Sequence, residues 1–118
     1  MFLRLNHQNL EVYKSANRLL IECYKFSKTL PDYEKFGMAS QIRRAALSNL
    51  LNIAEGASRK SGPEKKRYYE IARGSIIEID AALDAAAALD YLNNYPINNM
   101  GEKLQSSFKL LTGLIKSK

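Results

Sequence analysis

A heptad-like repeat between Tyr68 and Leu89 restricts the fold of this chain more than any other feature of its sequence. Residues that are small or apolar enough to enter a core recur there with alternating spacings of four and three. This spacing aligns side chains along one stripe of an α-helix, and small side chains let a neighbouring helix approach closely. The sequence therefore predicts a long helix over about residues 64–92, packed side by side against other helices. The positions of the stripe are Tyr68, Ala72, Ser75, Ile79, Ala82, Ala86 and Leu89.

Three further segments have helical length and helical periodicity, at about residues 10–29, 36–60 and 100–116. Turn-forming clusters that each contain a proline separate the segments, and no stretch alternates with the period of two that a strand requires. Because the connections are short, consecutive helices should run antiparallel. The chain is therefore predicted to be all-α. We expect an antiparallel up-down-up-down four-helix bundle in a single domain over residues 1–118, with an N-terminal extension at residues 1–8.

The first and last helices carry core stripes of their own, and the third helix has a clear start signal. Ser61-Gly62-Pro63-Glu64 matches a capping box with proline in the first turn. The stripes of all helices should meet in one core. The first helix contributes Val12, Ala16, Leu19, Cys23 and Phe26, and the last contributes Leu104, Phe108, Leu111 and Ile115.

The second helix has more apolar surface than one core requires. A stripe a little over 100° wide is enough to face a core, and Ala46, Leu50, Ile53 and Ala57 would supply it. An outer strip then remains on one side of the helix. Either a second copy of the chain covers this strip, or the first and third helices bury both sides of the second. The pattern favours self-association through the outer strip, which consists of Leu47, Leu51 and Ala54.

The formal net charge of +6 is unevenly distributed along the chain. Residues 41–73 carry eight basic and three acidic side chains, whereas residues 74–102 carry five acidic side chains and no basic ones. Residues 103–118 carry four basic side chains and no acidic ones. Such segregation favours an acidic or polyanionic partner. The alternative is that basic and acidic segments neutralise each other in the folded chain.

A cluster of cations surrounds the predicted turn between the second and third helices. The first turn of a helix disfavours cations because the helix dipole is positive there, so stability alone does not account for this placement. A phosphate-binding patch does, and the alternative is a solvated lysine-rich helix end. Tyr68 is expected in the core, whereas Tyr69 could stack on an unpaired base. The expected nucleic-acid-binding residues are Arg59, Lys60, Lys65, Lys66, Arg67 and Arg73, with Arg44 as a secondary member.

The other two arginines of the second helix, Arg43 and Arg44, lie far from this cluster in sequence. Arg43 projects toward the apolar side of its helix, and an unpaired buried guanidinium is costly. In an antiparallel pair of helices, Arg43 is level with acidic residues of the third helix. We therefore expect structural ion pairs from Arg43 to Glu78, Asp80 and Asp84, with a ligand-binding role as the alternative.

Several classes of site and location are disfavoured. Cys23 is the only cysteine, so an intramolecular disulfide is impossible, and the expected role of the thiol is that of a small buried side chain. The single histidine, His7, precedes the first helix, and no Glu-x-x-His motif, phosphate loop or nucleophile elbow is present. No enzyme activity, metal or cofactor is expected. The sequence has no signal-peptide layout and no membrane-spanning run, which predicts a cytoplasmic protein without a membrane partner.

The segment Gln41–Ala46, followed by Ser48 and Asn52-Ile53-Ala54-Glu55-Gly56, resembles the 23S rRNA intervening-sequence proteins, a family of four-helix bundles. The likeness extends over nearly the whole chain and is weakest after Tyr95. It implies an up-down bundle that assembles as a barrel-like homopentamer. Many members have a proline at the position of Leu50, so the kink that a proline introduces is not expected in this chain.

The basic cluster and the resemblance together leave two classes of function. One, which the basic cluster predicts, is an oligomeric nucleic-acid-binding protein that contacts phosphates without reading sequence, with RNA as the expected polymer rather than DNA. The other is a protein-interaction scaffold, since a related branch comprises accessory proteins that bind the reverse transcriptase of diversity-generating retroelements. Gene context would separate the two: an rRNA gene favours the first class, and a nearby reverse transcriptase favours the second.

Overall fold

The computed structural model describes residues 1–117, except the side chain of Asn9. Over these residues the prediction of an all-α four-helix fold is confirmed: no strand is present, and every helix contacts its neighbours along the chain. The first and last helices also contact each other, which closes the bundle around one core. The helices are α1 (Glu11–Ser27), α2 (Met38–Ser58), α3 (Gly62–Ala88) and α4 (Ile97–Lys116), with single 3-10 turns at Asn6–Asn9 and Asp32–Glu34.

The two ends of α3 show how local chemistry sets helix length. At the start, the Ser61 hydroxyl accepts a hydrogen bond from the Glu64 backbone N–H at 3.2 Å, as the capping-box pattern predicts. At the end, Asp90 adopts a left-handed backbone (φ 61°), and the Tyr91 N–H reaches back to the Ala86 carbonyl at 2.8 Å. These bonds satisfy carbonyls of the last turn and stop the helix. Leu89 therefore lies beyond the helix and is exposed.

The core stripe of α1 is buried at all five predicted positions, whereas that of α3 is buried at only four of its seven, Ala72, Ser75, Ile79 and Ala86. The core face of α3 also keeps alternating spacings of three and four, but it runs through Tyr69, Ala72, Ile76, Ile79, Leu83 and Ala86. The heptad spacing is therefore confirmed, but at every second position the core-facing residue is one further along the helix than predicted. Tyr69 is therefore buried (6% exposed) and Tyr68 is not, so the expectation for these two tyrosines is wrong. In α4, Phe108 is likewise exposed and Ser107 occupies the core.

One layer of the core is polar. The hydroxyl oxygens of Ser15 and Ser107 are hydrogen-bonded at 2.6 Å, which joins α1 to α4. The Ser75 hydroxyl donates to that of Ser48 at 3.1 Å, which joins α3 to α2. Asn49 is fully buried in α2. The first bond fixes the height of α1 relative to α4, and the second fixes the height of α2 relative to α3, since the paired hydroxyls cannot slide apart without losing these hydrogen bonds.

The closest approach between α2 and α3 occurs at Gly56. A Cβ atom placed there would lie 2.8 Å from Cε1 of Tyr69 and 3.1 Å from Cβ of Tyr68. Glycine is therefore required for the backbones to approach this closely. The same contact explains why Tyr69 is buried, because its ring occupies the space beside Gly56 that a side chain would otherwise fill. α2 itself runs without interruption through Leu50.

We expect Gly56→Ala to destabilise the protein. Overpacking a core contact costs about 1–3 kcal/mol, whereas alanine gains only about 0.5–1 kcal/mol over glycine inside a helix. Chemical denaturation should therefore show a lower free energy of unfolding. Gly113→Ala is the matched control, because nothing lies within 4 Å of a Cβ at that exposed helical position; it should raise the free energy of unfolding. If both variants were stabilised, the tight contact at Gly56 would be refuted.

Candidate nucleic-acid interface

The predicted cation cluster lies at the end of the bundle where α2 passes into α3. Only three residues separate the two helices, so side chains from the last turn of α2 and the first turn of α3 share this end. We call the surface formed by five of these side chains the basic end. Its members are Arg59, Lys60, Lys65, Lys66 and Arg67.

Two members of the basic end hold the turn together. The Arg59 guanidinium forms an ion pair with the Glu55 carboxylate and lies 5.1 Å from the centre of the Tyr68 ring. The Lys65 ammonium donates to the Ala57 carbonyl at 3.1 Å and so satisfies one of the free carbonyls in the last turn of α2. Both side chains are half-buried. Their first role is therefore structural.

The other three members, Lys60, Lys66 and Arg67, are exposed, and no carboxylate of residues 1–117 lies within ion-pairing distance of them. Glu64 is the only acid in the first turn of α3, and its carboxylate already accepts from the Ser61 hydroxyl at 3.1 Å. The positive charge at this helix start is thus not neutralised locally. It adds to the positive end of the helix dipole, so an anion placed here would be attracted by both.

Backbone and aromatic groups add little to the basic end. The Glu64 N–H is bonded to Ser61, and Pro63 has no N–H, so the free backbone donors expected at the helix start are largely absent. Tyr69 is buried, and the Tyr68 ring is covered by Arg59. Neither tyrosine is available to stack on a base. The chemistry offered at this surface is that of flexible cations.

The structure does not bring Arg73 and Arg44 into the basic end. Arg73 donates to the Thr112 hydroxyl at 3.2 Å and lies 5.6 Å from the centre of the Phe108 ring, which links α3 to α4. Arg44 is exposed on α2, and the rise of 1.5 Å per residue places it about 22 Å along the axis from Arg59. Arg73 is therefore engaged between α3 and α4, and Arg44 lies too far along the bundle to contact the same phosphate as the basic end.

The predicted ion pairs of Arg43 are absent: no acidic group of residues 1–117 lies within 4.0 Å of its guanidinium. The side of α2 that faces α3 carries Ser48, and Arg43 points roughly 140° away from it around the helix. Asp80 lines a groove between α3 and α4, on the opposite side of α3. Arg43 therefore lies at the same height along the bundle as the acidic residues, but its side chain points away from α3. The same correction applies to its other two predicted partners, Glu78 and Asp84, which are exposed.

The outer strip of α2 is not covered within the chain. Leu47 is 40% exposed and Leu51 is 53% exposed, whereas Ala54 is half-buried. The alternative that neighbouring helices of the same chain bury this strip is therefore wrong for the two leucines. Arg44 continues the line, since positions 44, 47 and 51 share one face of a helix. The strip is an apolar surface with a cation at one end.

Other reactive groups have ordinary structural positions. His7 packs edge-on against Tyr13, with 4.7 Å between the ring centres. Cys23 is fully buried, and burial raises the pKa of its thiol to about 12. Within residues 1–117, no group of three or more histidine, cysteine or acidic side chains is placed to hold a metal. No helix among these residues is long and apolar enough to cross a membrane.

The chain was compared with curated proteins and with models of protein families. A comparison with curated proteins found no match. The family model described as 23S rRNA-intervening sequence protein matches residues 8–113, which include α1 to α3, the basic end, the outer strip and most of α4. The match covers far more than half of the chain and agrees with the four-helix architecture. The chain therefore belongs to the 23S rRNA-intervening sequence protein family.

Proposed function

We propose that the protein is a non-enzymatic, oligomeric nucleic-acid-binding protein that contacts phosphates through the basic end. The observation that carries the proposal is the exposed, unneutralised set of Lys60, Lys66 and Arg67 around the start of α3. Cations at this place raise the energy of the isolated chain because of the helix dipole. A bound phosphate would turn the same charges into favourable contacts. This argues for a polyanionic partner rather than a solvated surface.

The chemistry of the basic end also limits how the partner is recognised. Base-edge contacts need side chains held in fixed geometry, and single-stranded binding with stacking needs free aromatic rings. The three exposed cations are flexible, and both nearby tyrosines are occupied. We therefore expect binding without sequence preference. The association of the family's name with 23S rRNA supports RNA rather than DNA as the polymer.

Self-association would increase the affinity of such weak phosphate contacts. The exposed leucines at positions 47 and 51 give a second copy an apolar surface to cover. Several basic ends in one assembly would then bind one strand, and linked sites gain affinity through effective concentration. A barrel-like homopentamer is the proposed assembly. Light scattering of the purified protein would check it, and a monomer would remove this step.

Binding should weaken steeply with salt if phosphates supply the affinity. For single strands the logarithm of the binding constant falls with slope of about −0.7 for each phosphate neutralised, so three contacts predict about −2 for each protomer engaged. A fluorescently labelled single-stranded RNA of mixed sequence should therefore lose roughly 20-fold in affinity between 50 and 200 mM salt if one protomer contacts it, and more if several protomers do. Fluorescence anisotropy measures this directly. An affinity that does not change with salt would contradict the proposal, and tighter binding of DNA of the same sequence would contradict the choice of RNA.

A protein-interaction scaffold is the second candidate, and the exposed apolar strip of α2 favours it. Such a strip could bind another protein, for example the reverse transcriptase of a diversity-generating retroelement, instead of a second copy. Saturable binding to a reverse transcriptase encoded near the gene, together with no binding of RNA in low salt, would favour the scaffold. The two candidates differ in how their affinity depends on salt, because a contact through leucines weakens little as salt is added, whereas phosphate contacts weaken strongly.

A further inference from the structure

A second apolar surface lies on the opposite side of the bundle from the contact of α1 with α2. It is a groove of about 410 Å³ between α3 and α4. Ile77 and Phe108 are partly exposed in its walls, and Ile76 and Leu104 form its buried floor. Polar side chains form the rim, which consists of Asp80, Gln105 and Lys109.

The first five residues, Met1 to Leu5, form an N-terminal arm that is apolar and unusually exposed. Phe2 is 90% exposed and Leu3 is 77% exposed, and Arg4 is the only charged side chain in the arm. The 3-10 turn that follows packs on α1 and α2. An exposed phenylalanine beside an exposed leucine is the kind of surface that marks an interaction site.

We propose that the groove between α3 and α4 binds the N-terminal arm of a second copy of the chain. The arm cannot reach the groove of its own chain. It starts from the side of the bundle formed by α1 and α2, and five extended residues span at most about 17 Å. The bundle is 22 Å across in its shortest dimension, and the path around it is longer. An N-terminal arm bound in this groove must therefore belong to another copy of the chain.

Charge favours this groove over a second apolar groove. The second groove, of about 320 Å³, is lined by Leu20, Ile21 and Tyr24, and by two lysines, Lys25 and Lys28. These lysines would repel Arg4 of an incoming arm.

The groove between α3 and α4 instead presents Asp80 to that arginine. The Asp80 carboxylate makes no ion pair within residues 1–117, and Lys109 is the one other charged side chain of the lining, so the groove has no net charge. An arm with apolar side chains on both sides of one cation therefore meets one unpaired carboxylate in this groove, and two lysines in the other.

The arm supplements a larger contact and does not replace it. Five residues bury much less than the about 1,200–2,000 Å² of a stable interface. The outer strip of α2 is the apolar surface that would supply the remainder. Removal of the arm should therefore weaken the assembly without dissolving every contact.

Disulfide trapping tests the arm and the groove directly, in protein free of nucleic acid. A Leu3→Cys chain is mixed with a size-tagged Gln105→Cys chain and oxidised, and the mixed disulfide is measured on non-reducing gels. Cys23 does not interfere, because it is buried and protonated. The matched control is Leu3→Cys mixed with Lys25→Cys, which places the second thiol at the basic groove. We expect several-fold more mixed disulfide with Gln105→Cys than with the control.

A charge exchange gives a second readout. Asp80→Lys should lower the apparent mass of the assembly in light scattering at low protein concentration. Arg4→Glu combined with Asp80→Lys should restore that mass, because the attraction is rebuilt with reversed signs. Equal trapping at both grooves, or no rescue by the combined variant, would overturn the proposal. Because neither measurement involves RNA, these outcomes are independent of whether the basic end binds phosphates.

Discussion

A variant with glutamate in place of Lys60, Lys66 and Arg67 should bind RNA about 100-fold more weakly than the wild type in 0.1 M salt. Each phosphate contact contributes about 0.7 to the exponent with which affinity depends on salt, so three contacts contribute about 2. At 0.1 M salt an exponent of about 2 corresponds to a factor of about 100 in affinity. All three side chains are exposed and make no described ion pair, so the fold should not change. Fluorescence anisotropy gives the affinity, and circular dichroism with a thermal scan checks the fold.

The matched control places the same change of charge at the other end of the bundle. Lys25, Lys28 and Lys35 are exposed near the connection between α1 and α2, and their replacement by glutamate alters the net charge equally. This control should retain most of the affinity. If it loses as much as the first variant, the RNA responds to net charge and the basic end is not a site. Lys65 is left unchanged in both variants, because its bond to the Ala57 carbonyl would confuse binding with stability.

Helical periodicity was enough to predict the number, order and type of the helices. The stripe of α1 is correct at every position. That of α3 has the right spacing but the wrong phase, because two apolar stripes share Ala72, Ile79 and Ala86 and the sequence does not show on which side of them the core lies. The burial of Asn49 could not be predicted in this way, since an amide in a helix is normally assigned to the surface.

The candidate site was predicted as a group of residues but not member by member. Sequence spacing places Arg59 and Lys65 beside the exposed cations, yet only the contacts with Glu55 and Ala57 show that both are already engaged. Similarly, the antiparallel arrangement predicts the height of Arg43 on the bundle but not its direction around α2. Which side of a helix faces which neighbour depends on packing of all four helices, and that information is not local in sequence.

The free energy of unfolding should fall as the pH rises above about 9. Cys23 carries this effect most clearly, because burial and, to a smaller extent, the nearby Glu22 carboxylate together raise the pKa of its thiol from 9.0 to about 12. The unfolded chain releases the thiol proton at lower pH than the folded chain does. The stabilisation is therefore complete below pH 9 and is lost progressively up to about pH 12.

Two tyrosines, the buried Tyr69 and the half-buried Tyr95, act in the same direction. Burial raises the pKa of Tyr95, and a hydrogen bond from its hydroxyl to the Glu22 carboxylate raises it further. Burial also raises the pKa of Tyr69. Both groups stay protonated in the folded chain while their unfolded counterparts ionise near pH 10, so they add to the loss of stability above that pH.

Urea denaturation of the wild type and of Cys23→Ala at several pH values between 8 and 10.5 measures how the free energy of unfolding depends on pH. The difference between the two proteins gives the contribution of the thiol. A single group with this shift contributes about 1.4 kcal/mol of lost stability for each pH unit above its unfolded pKa. The variant leaves a small cavity and should be less stable at pH 8, but its stability should fall less steeply with pH. The difference in slope belongs chiefly to Cys23, with a smaller contribution from Tyr95, because the charge of the Cys23 thiolate also raises the pKa of Tyr95. Parallel curves would show that the thiol is accessible to water in the folded chain, which contradicts its position in the core.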